Sequence, residues 1–197
     1  MSDEETLGVY AEQTEKYVAM VEKEAARDPV IGAFIAACPP GGAVLDLGCG
    51  PGHYAQIVAA AGLIPTAWDA VPEMVEHANA RAGVTAHVAR FDDLTTTDAY
   101  DGIWAYFSLL HAPRDAFPRH ITAIARALKP GGVFVLALKR GTGGGRDKLG
   151  RHYEYYEQPE LDAHLTAAGL TPTQHWTGVA PGLAGHPDGW IAILARG

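Results

Sequence analysis

The chain has 197 residues, enough for one domain with a proper hydrophobic core. Its formal net charge of −8 argues against broad contact with a phosphate backbone, so no nucleic-acid partner is expected. Its two cysteines, Cys38 and Cys49, suggest neither a disulfide framework nor a zinc site, and the polar start MSDEETLGVY and short apolar runs read as a cytoplasmic chain without membrane contact.

Residues 9–26 place Val9, Tyr10, Tyr17, Val18 and Val21 at a spacing near 3.6, which predicts an amphipathic helix. Asp28-Pro29 opens a second helix over 29–37, closed by Pro39-Pro40-Gly41-Gly42. AVLDL at 43–47 predicts a buried strand, followed by a glycine loop and a helix over 53–61 that stops at Gly62. IPTAWD (64–69) predicts a second strand, VPEMVEHANARA a further helix with Pro72 in its first turn, and VTAHVA (84–89) a third strand. A fourth strand at 101–107 and a helix over 114–128 lead to a hard turn at Lys129-Pro130-Gly131-Gly132 and a fifth strand at 133–139. The four glycines of 141–145 predict a mobile loop; a helix over 158–168 and strands at 171–177 and 189–195 complete the chain. Strands alternating with helices give an α/β fold, a doubly wound parallel sheet with helices on both faces, in which ligands bind at the carboxyl ends of the strands. No repeat or linker divides residues 1–197, so one domain is expected.

The chemistry starts at GCGPG, residues 48–52, behind the strand that holds Asp46. A bare backbone lets a ligand approach and presents unpaired amides at a helix start; a tight turn without a ligand is the other reading. The GxGxG spacing differs from the GxGxxG of nicotinamide-binding loops. Asp69 ends the second strand, 23 residues after Asp46, where an acid accepts hydrogen bonds from both hydroxyls of a ribose or caps the next helix. Together these residues ask for a nucleoside-bearing cofactor.

LDLGCGPG resembles the cofactor motif of class I S-adenosylmethionine-dependent methyltransferases. Asp69 matches their ribose-binding acid, Asp101 in AYDGIWAYFSLLH the acidic start of their fourth strand, and LKPGGVFVLALK the turn and strand that follow. The likeness covers about residues 9–195; YDGIWAYFSLLHAPRD and RDKLGRHYEYY are similar to a small bacterial branch related to tellurite-resistance methyltransferases. The resemblance implies a seven-stranded, mostly parallel Rossmann-like sheet with an antiparallel last strand, and a helical lid (1–40) over an α/β core (41–197). It also implies S-adenosylmethionine as cofactor, no metal, and methyl transfer to a small molecule by in-line displacement, in a monomer or homodimer. Asp46 would orient the methionine amino group, with Gly48, Cys49 and Gly50 beneath the methionine. Asp69 would bind the ribose and Ala70 the adenine edge; Ala105 and Tyr106 would line the methionine side, and Tyr10 and Tyr17 would close over the cofactor. Arg90 stands where many relatives carry an adenine-binding acid, which leaves Phe91 to flank the ring and Asp92 to supply the acceptor.

His111, just past the fourth strand, is the first candidate for a general base, with a loop-capping role as the alternative. Tyr106 could orient the nucleophile or face the sulfonium. RDKLGRHYEYY reads as a substrate lid with Arg146, Arg151, Tyr153 and Tyr156, in which Arg151 binds an anion and Lys139 and Arg140 extend the positive patch. Trp176 and Trp190 read as core, and the remaining histidines, from His53 to His186, show no ligand spacing. The acceptor atom stays open among sulfur, selenium, tellurium, nitrogen and oxygen. A non-catalytic cofactor-binding module and a nicotinamide-dependent oxidoreductase are the competing readings.

Overall fold

The computed structural model describes residues 3–25, 28–185 and 187–197; Ala26, the end of the first predicted helix, and His186 lie outside them. Three helices come first: α1 (Glu4–Glu12), α2 (Thr14–Ala25) and α3 (Pro29–Ala37). The α/β part follows as β1 (Ala43–Leu47), α4 (His53–Ala60), β2 (Ile64–Asp69), α5 (Pro72–Asn79), β3 (Thr85–Val88), β4 (Tyr100–Tyr106), α6 (Phe117–Ala127) and β5 (Leu128–Lys139). A small hairpin, β6 (Gly144–Arg146) and β7 (His152–Glu154), precedes α7 (Gln158–Ala167), β8 (Thr171–Pro181) and β9 (Pro187–Arg196).

Seven strands form one sheet in the order β3-β2-β1-β4-β5-β9-β8. Every pairing from β3 to β5 is parallel, and β9 runs antiparallel to both its neighbours. Because successive side chains point to opposite faces of a strand, β1 and β4 feed two cores at once. Leu45, Leu47 and Ile103 meet Phe117, Ile121 and Leu161 from α6 and α7, whereas Val44 and Trp104 meet Val30 and Phe34 from α3. Asp46 shares the parity of Val44, so it faces the α3 side. The order reverses between β1 and β4, and that switch point is where α/β sheets open a crevice. Among the described residues, no helix is long and apolar enough to cross a membrane.

The structure departs from the sequence expectations at four places. The first predicted helix is two: the Thr14 hydroxyl donates to the Tyr10 and Ala11 carbonyls in place of backbone amides and the helix breaks at Gln13. The Lys129–Gly132 turn is a bulge inside β5, between the pairs Tyr100–Leu128 and Gly102–Val133. The glycine stretch expected as a mobile loop is instead strand β6 at its end, paired with β7 through Gly144–Glu154, Gly145–Tyr153 and Arg146–His152. Finally, α3 buries Val30, Ile31 and Phe34, so it belongs to the core and not to the lid expected over residues 1–40.

Candidate active site

At the switch point the glycine loop turns back on itself. The amides of Gly48 and Cys49 both donate to the Trp68 carbonyl, at 2.8 and 2.9 Å, and the Gly50 amide donates to Asp69 Oδ2 at 2.8 Å. These amides are therefore spent within the protein, contrary to the expectation of unpaired donors. The glycines serve conformation and space instead. Gly48 holds φ at +80°, and a Cβ there would stand 2.2 Å from the Ser108 Cβ. A Cβ on Gly50, at φ +52°, would reach 3.3 Å from the Tyr17 ring. Any side chain at either position would fill the cradle.

Two cavities meet over this loop. The first is lined by Asp69, Ala70, Val71, Ala89, Arg90 and Phe91 among others. The second is lined by Asp46, Cys49, His53, Trp104, Tyr106 and Trp190 among others. Tyr10, Tyr17, Gly48 and Phe107 line both and form the waist between them. Phe107 sits at φ +55°, a strained value for a side chain without local hydrogen bonding, held there by its amide bond to the Ala137 carbonyl. Sequence gave no sign of that residue.

The residues present fit the cofactor that the sequence resemblance implies. Asp46 is buried, and its Oδ2 has no hydrogen-bond partner. Burial, and the nearby Asp69, push its carboxyl up to about 8 against the bond from the Ala55 amide. His53 Nδ1 is likewise buried and unpartnered, and burial holds this imidazole down at about 3. An orphaned acid and an orphaned imidazole on one wall match the ammonium and carboxylate of a methionine end. In the other cavity, Asp69 accepts from the Gly50 amide on Oδ2 and from the Val71 amide on Oδ1, with a further backbone bond from Ala70, which fixes the carboxylate at the cavity wall. Burial raises its pKa, and those hydrogen bonds pull the other way.

Phe91 and Ala70 line the first cavity, as expected of residues flanking an adenine. Arg90 lies on its rim and bonds Glu4 of α1 at 2.7 Å. Asp92 accepts from Arg119 at 2.8 Å and lines neither cavity. Ala105 is buried in the α6–α7 core and also lines neither, because its parity along β4 is that of Ile103.

His111 has both ring nitrogens engaged. Its Nδ1 donates to the His152 carbonyl at 2.6 Å, so Nε2 is left to accept, and the Tyr10 hydroxyl lies 2.9 Å away. Arg151 donates to the same hydroxyl at 3.0 Å and is itself clamped by Asp147 at 2.6 Å. Burial, then the nearby Arg151 and Lys139 charges, hold His111 down at about 3 despite the bond to His152. As a ready base it is thus poorly placed; as the anchor of Tyr10 it is well placed.

The hairpin divides its residues in the same way. Tyr153 lines the second cavity, with Lys139 Nζ 3.8 Å from its ring centre, and Lys139 pairs with Asp188 at 2.6 Å. Arg151 lines that cavity too, but its charge is already met by Asp147. Arg146 reaches neither cavity; it bonds Asp3 and ties the hairpin to the start of α1. Arg140 pairs with Glu157 on the surface. Tyr156 is core, stacked on Phe117. Trp176 packs on the α3-side core, as expected, whereas Trp190 lines the second cavity as well.

Comparison with known proteins agrees with the fold. A family model described as a methyltransferase domain matches residues 44–132. A ubiquinone biosynthesis O-methyltransferase of Xanthomonas axonopodis pv. citri is 33% identical over 154 residues, 67% of this chain and 64% of that protein. Its counterpart in Xanthomonas oryzae pv. oryzae is 35% identical over 51% of this chain and 44% of that protein. The chain thus spans less than two thirds of these curated relatives. Among solved structures, the 1,6-didemethyltoxoflavin-N1-methyltransferase of Burkholderia thailandensis, with bound 1,6-didemethyltoxoflavin and S-adenosylhomocysteine, superposes with a TM-score of 0.77 at 24% identity. It covers 96% of this chain and 86% of its own. An S-adenosylmethionine-dependent methyltransferase from Mesorhizobium loti gives 0.71 at 20% identity, covering 89% of this chain and 99% of that one.

Proposed function

We propose that the chain is a class I S-adenosylmethionine-dependent methyltransferase that transfers a methyl group to a small-molecule acceptor held in the second cavity, a reading supported by the methyltransferase-domain match over residues 44–132 and by the likeness to curated O-methyltransferases. The observation that carries this reading is the waist: two cavities share Tyr10, Tyr17, Gly48 and Phe107 as lining among the described residues. When bound, S-adenosylmethionine supplies a methyl group already activated on a sulfonium. Asp69, Ala70 and Phe91 would hold its adenosine, and Asp46 and His53 its methionine end. Tyr10 and Tyr17 exclude water from the waist, while Phe107 and Tyr106 position the acceptor. Alignment of that kind supplies much of the rate in a displacement that needs no nucleophile from the protein.

His111 acts in this scheme through Tyr10, whose hydroxyl it fixes beside the cofactor cavity. The relatives' names specify an oxygen acceptor in one case and a nitrogen acceptor in another, so the atom methylated follows from the second cavity and not from the fold. The test is release of S-adenosylhomocysteine from the purified chain with S-adenosylmethionine and a panel of oxygen, nitrogen and sulfur nucleophiles. Acceptor-dependent release that disappears in Asp69→Ala supports transfer. Tight cofactor binding with no release across the panel would favour a non-catalytic binding module.

A further inference from the structure

We infer that the second cavity takes an uncharged, planar aromatic or heteroaromatic acceptor; the inference rests on the methyltransferase reading of that site. Three observations support it. The first is that the cavity's cations are already neutralised. Lys139 is paired with Asp188 at 2.6 Å, and Arg151 with Asp147 at 2.6 Å. Asp28, an acid on the same wall, accepts from the Tyr54 hydroxyl and the Val30 amide. A charged acceptor would have to break one of these pairs or enter without a partner, and either is costly away from water. This argues against the anion-binding role expected of Arg151.

The second observation is the wall itself. Trp104 stacks on Tyr106 with centroids 4.5 Å apart and an 11° tilt. Tyr106 meets Phe107 edge-on at 4.8 Å, and Phe107 meets Trp190 edge-on at 6.4 Å. The series runs from the sheet to the waist and on to the β8–β9 hairpin. Trp190 is fixed in turn: it pairs across strands with Gly178, and a Cβ on that glycine would lie 2.6 Å from the indole. The ring therefore lies against bare backbone and presents a rigid surface to the cavity. Aromatic walls reward a flat partner beyond its buried area, because rings gain from stacked and edge-on contact.

Third, Trp104 Nε1–H is buried in this wall without a hydrogen-bond partner. A neutral donor left open there suits the carbonyl, hydroxyl or ring nitrogen of an uncharged acceptor.

Three probes on one carbon skeleton separate the claims: 2-naphthol, 2-naphthoate and 2-decalol. Their affinities are read by calorimetry on the full chain, with and without S-adenosylhomocysteine. We expect 2-naphthol to bind at least about ten-fold more tightly than either of the others. Trp190→Ala should remove most of that preference and leave affinity for S-adenosylhomocysteine unchanged. Gly178→Ala, which displaces the indole without deleting it, should act in the same direction. Naphthoate binding as tightly as naphthol would show that Lys139 or Arg151 reads an anion, and decalol binding as tightly would show that flatness is not selected. Either result, or no preference among the three, overturns the inference. Failure of S-adenosylhomocysteine to bind while the naphthol preference holds would instead remove the methyltransferase reading.

Discussion

Asp46 carries the sharpest consequence at the scale of single residues. Its carboxyl is pushed up to about 8, mainly by burial, whereas an unfolded aspartate titrates near 3.8. Between these values the free protein holds a proton at Asp46 that an incoming ammonium group would displace. Binding of S-adenosylhomocysteine near pH 6.5 should therefore release close to one proton, measurable as a dependence of calorimetric enthalpy on buffer ionisation. In Asp46→Asn that dependence should vanish; its persistence would place the proton elsewhere. Asp46, Gly48 and Asp69 were legible in the sequence because their chemistry is fixed by residue type and spacing. Phe107 was not, since its strained backbone follows from a hydrogen bond to β5 that no local pattern encodes. Nor was the use of the loop amides by Trp68 and Asp69, which depends on how β2 lies beside β1.

On the scale of elements, α1 is held over the cofactor cavity by side chains from far along the chain. Tyr10 meets His111 and Arg151, Asp3 meets Arg146, and the Thr6 hydroxyl accepts from the His152 amide at 2.8 Å. If His111 serves by anchoring Tyr10, then Tyr10→Phe and His111→Ala, each of which loses two hydrogen bonds, should weaken S-adenosylhomocysteine binding by similar factors of about ten-fold or more. Retained affinity with slow turnover in His111→Ala alone would restore the general-base role. The sequence marked α1, Arg146, Arg151 and His111 separately, yet gave no means of joining them, because the β6–β7 hairpin that brings them together is written in glycines that read as a loop. Long strands suffered less: β8 and β9 were visible as strands, and only their tips, which roof the second cavity, extend past the expected ends.

For the whole molecule, His53 and His111 lower the stability in acid and the buried Asp46 acts against them. Burial holds both His53 and His111 down at about 3, against about 6.5 when unfolded. Each stays neutral in the folded state, so the unfolded chain takes up protons first as pH falls below 6.5. Alone, these two groups favour the fold fully above pH 6.5 and lose that contribution toward pH 3, by up to about 1.4 kcal/mol per pH unit each, whereas Asp46, which holds its proton in the folded state up to about 8, contributes with the opposite sign between pH 8 and 3.8. Relative to the parent chain, the thermal midpoint of His53→Gln should fall less between pH 6.5 and 4.5 and that of Asp46→Asn should fall more; an equal slope in His53→Gln would exclude His53 from the effect. The architecture itself was legible at this scale, since alternation of strand and helix determines a parallel sheet and its switch point. The antiparallel β9 came from family resemblance and is confirmed by its pairing with β5 and β8.

The central claim is that the two cavities hold S-adenosylmethionine across the Gly48–Phe107 waist. It is tested most directly by a thermal-shift titration with S-adenosylmethionine, S-adenosylhomocysteine, NAD and FAD side by side. A ligand present at 100 times its dissociation constant adds about 2.7 kcal/mol, enough to raise the midpoint by a few degrees in a domain of this size. We predict that rise for the first two ligands alone, with its loss in Asp69→Ala. A rise with NAD or FAD, or none with S-adenosylmethionine, would contradict the account.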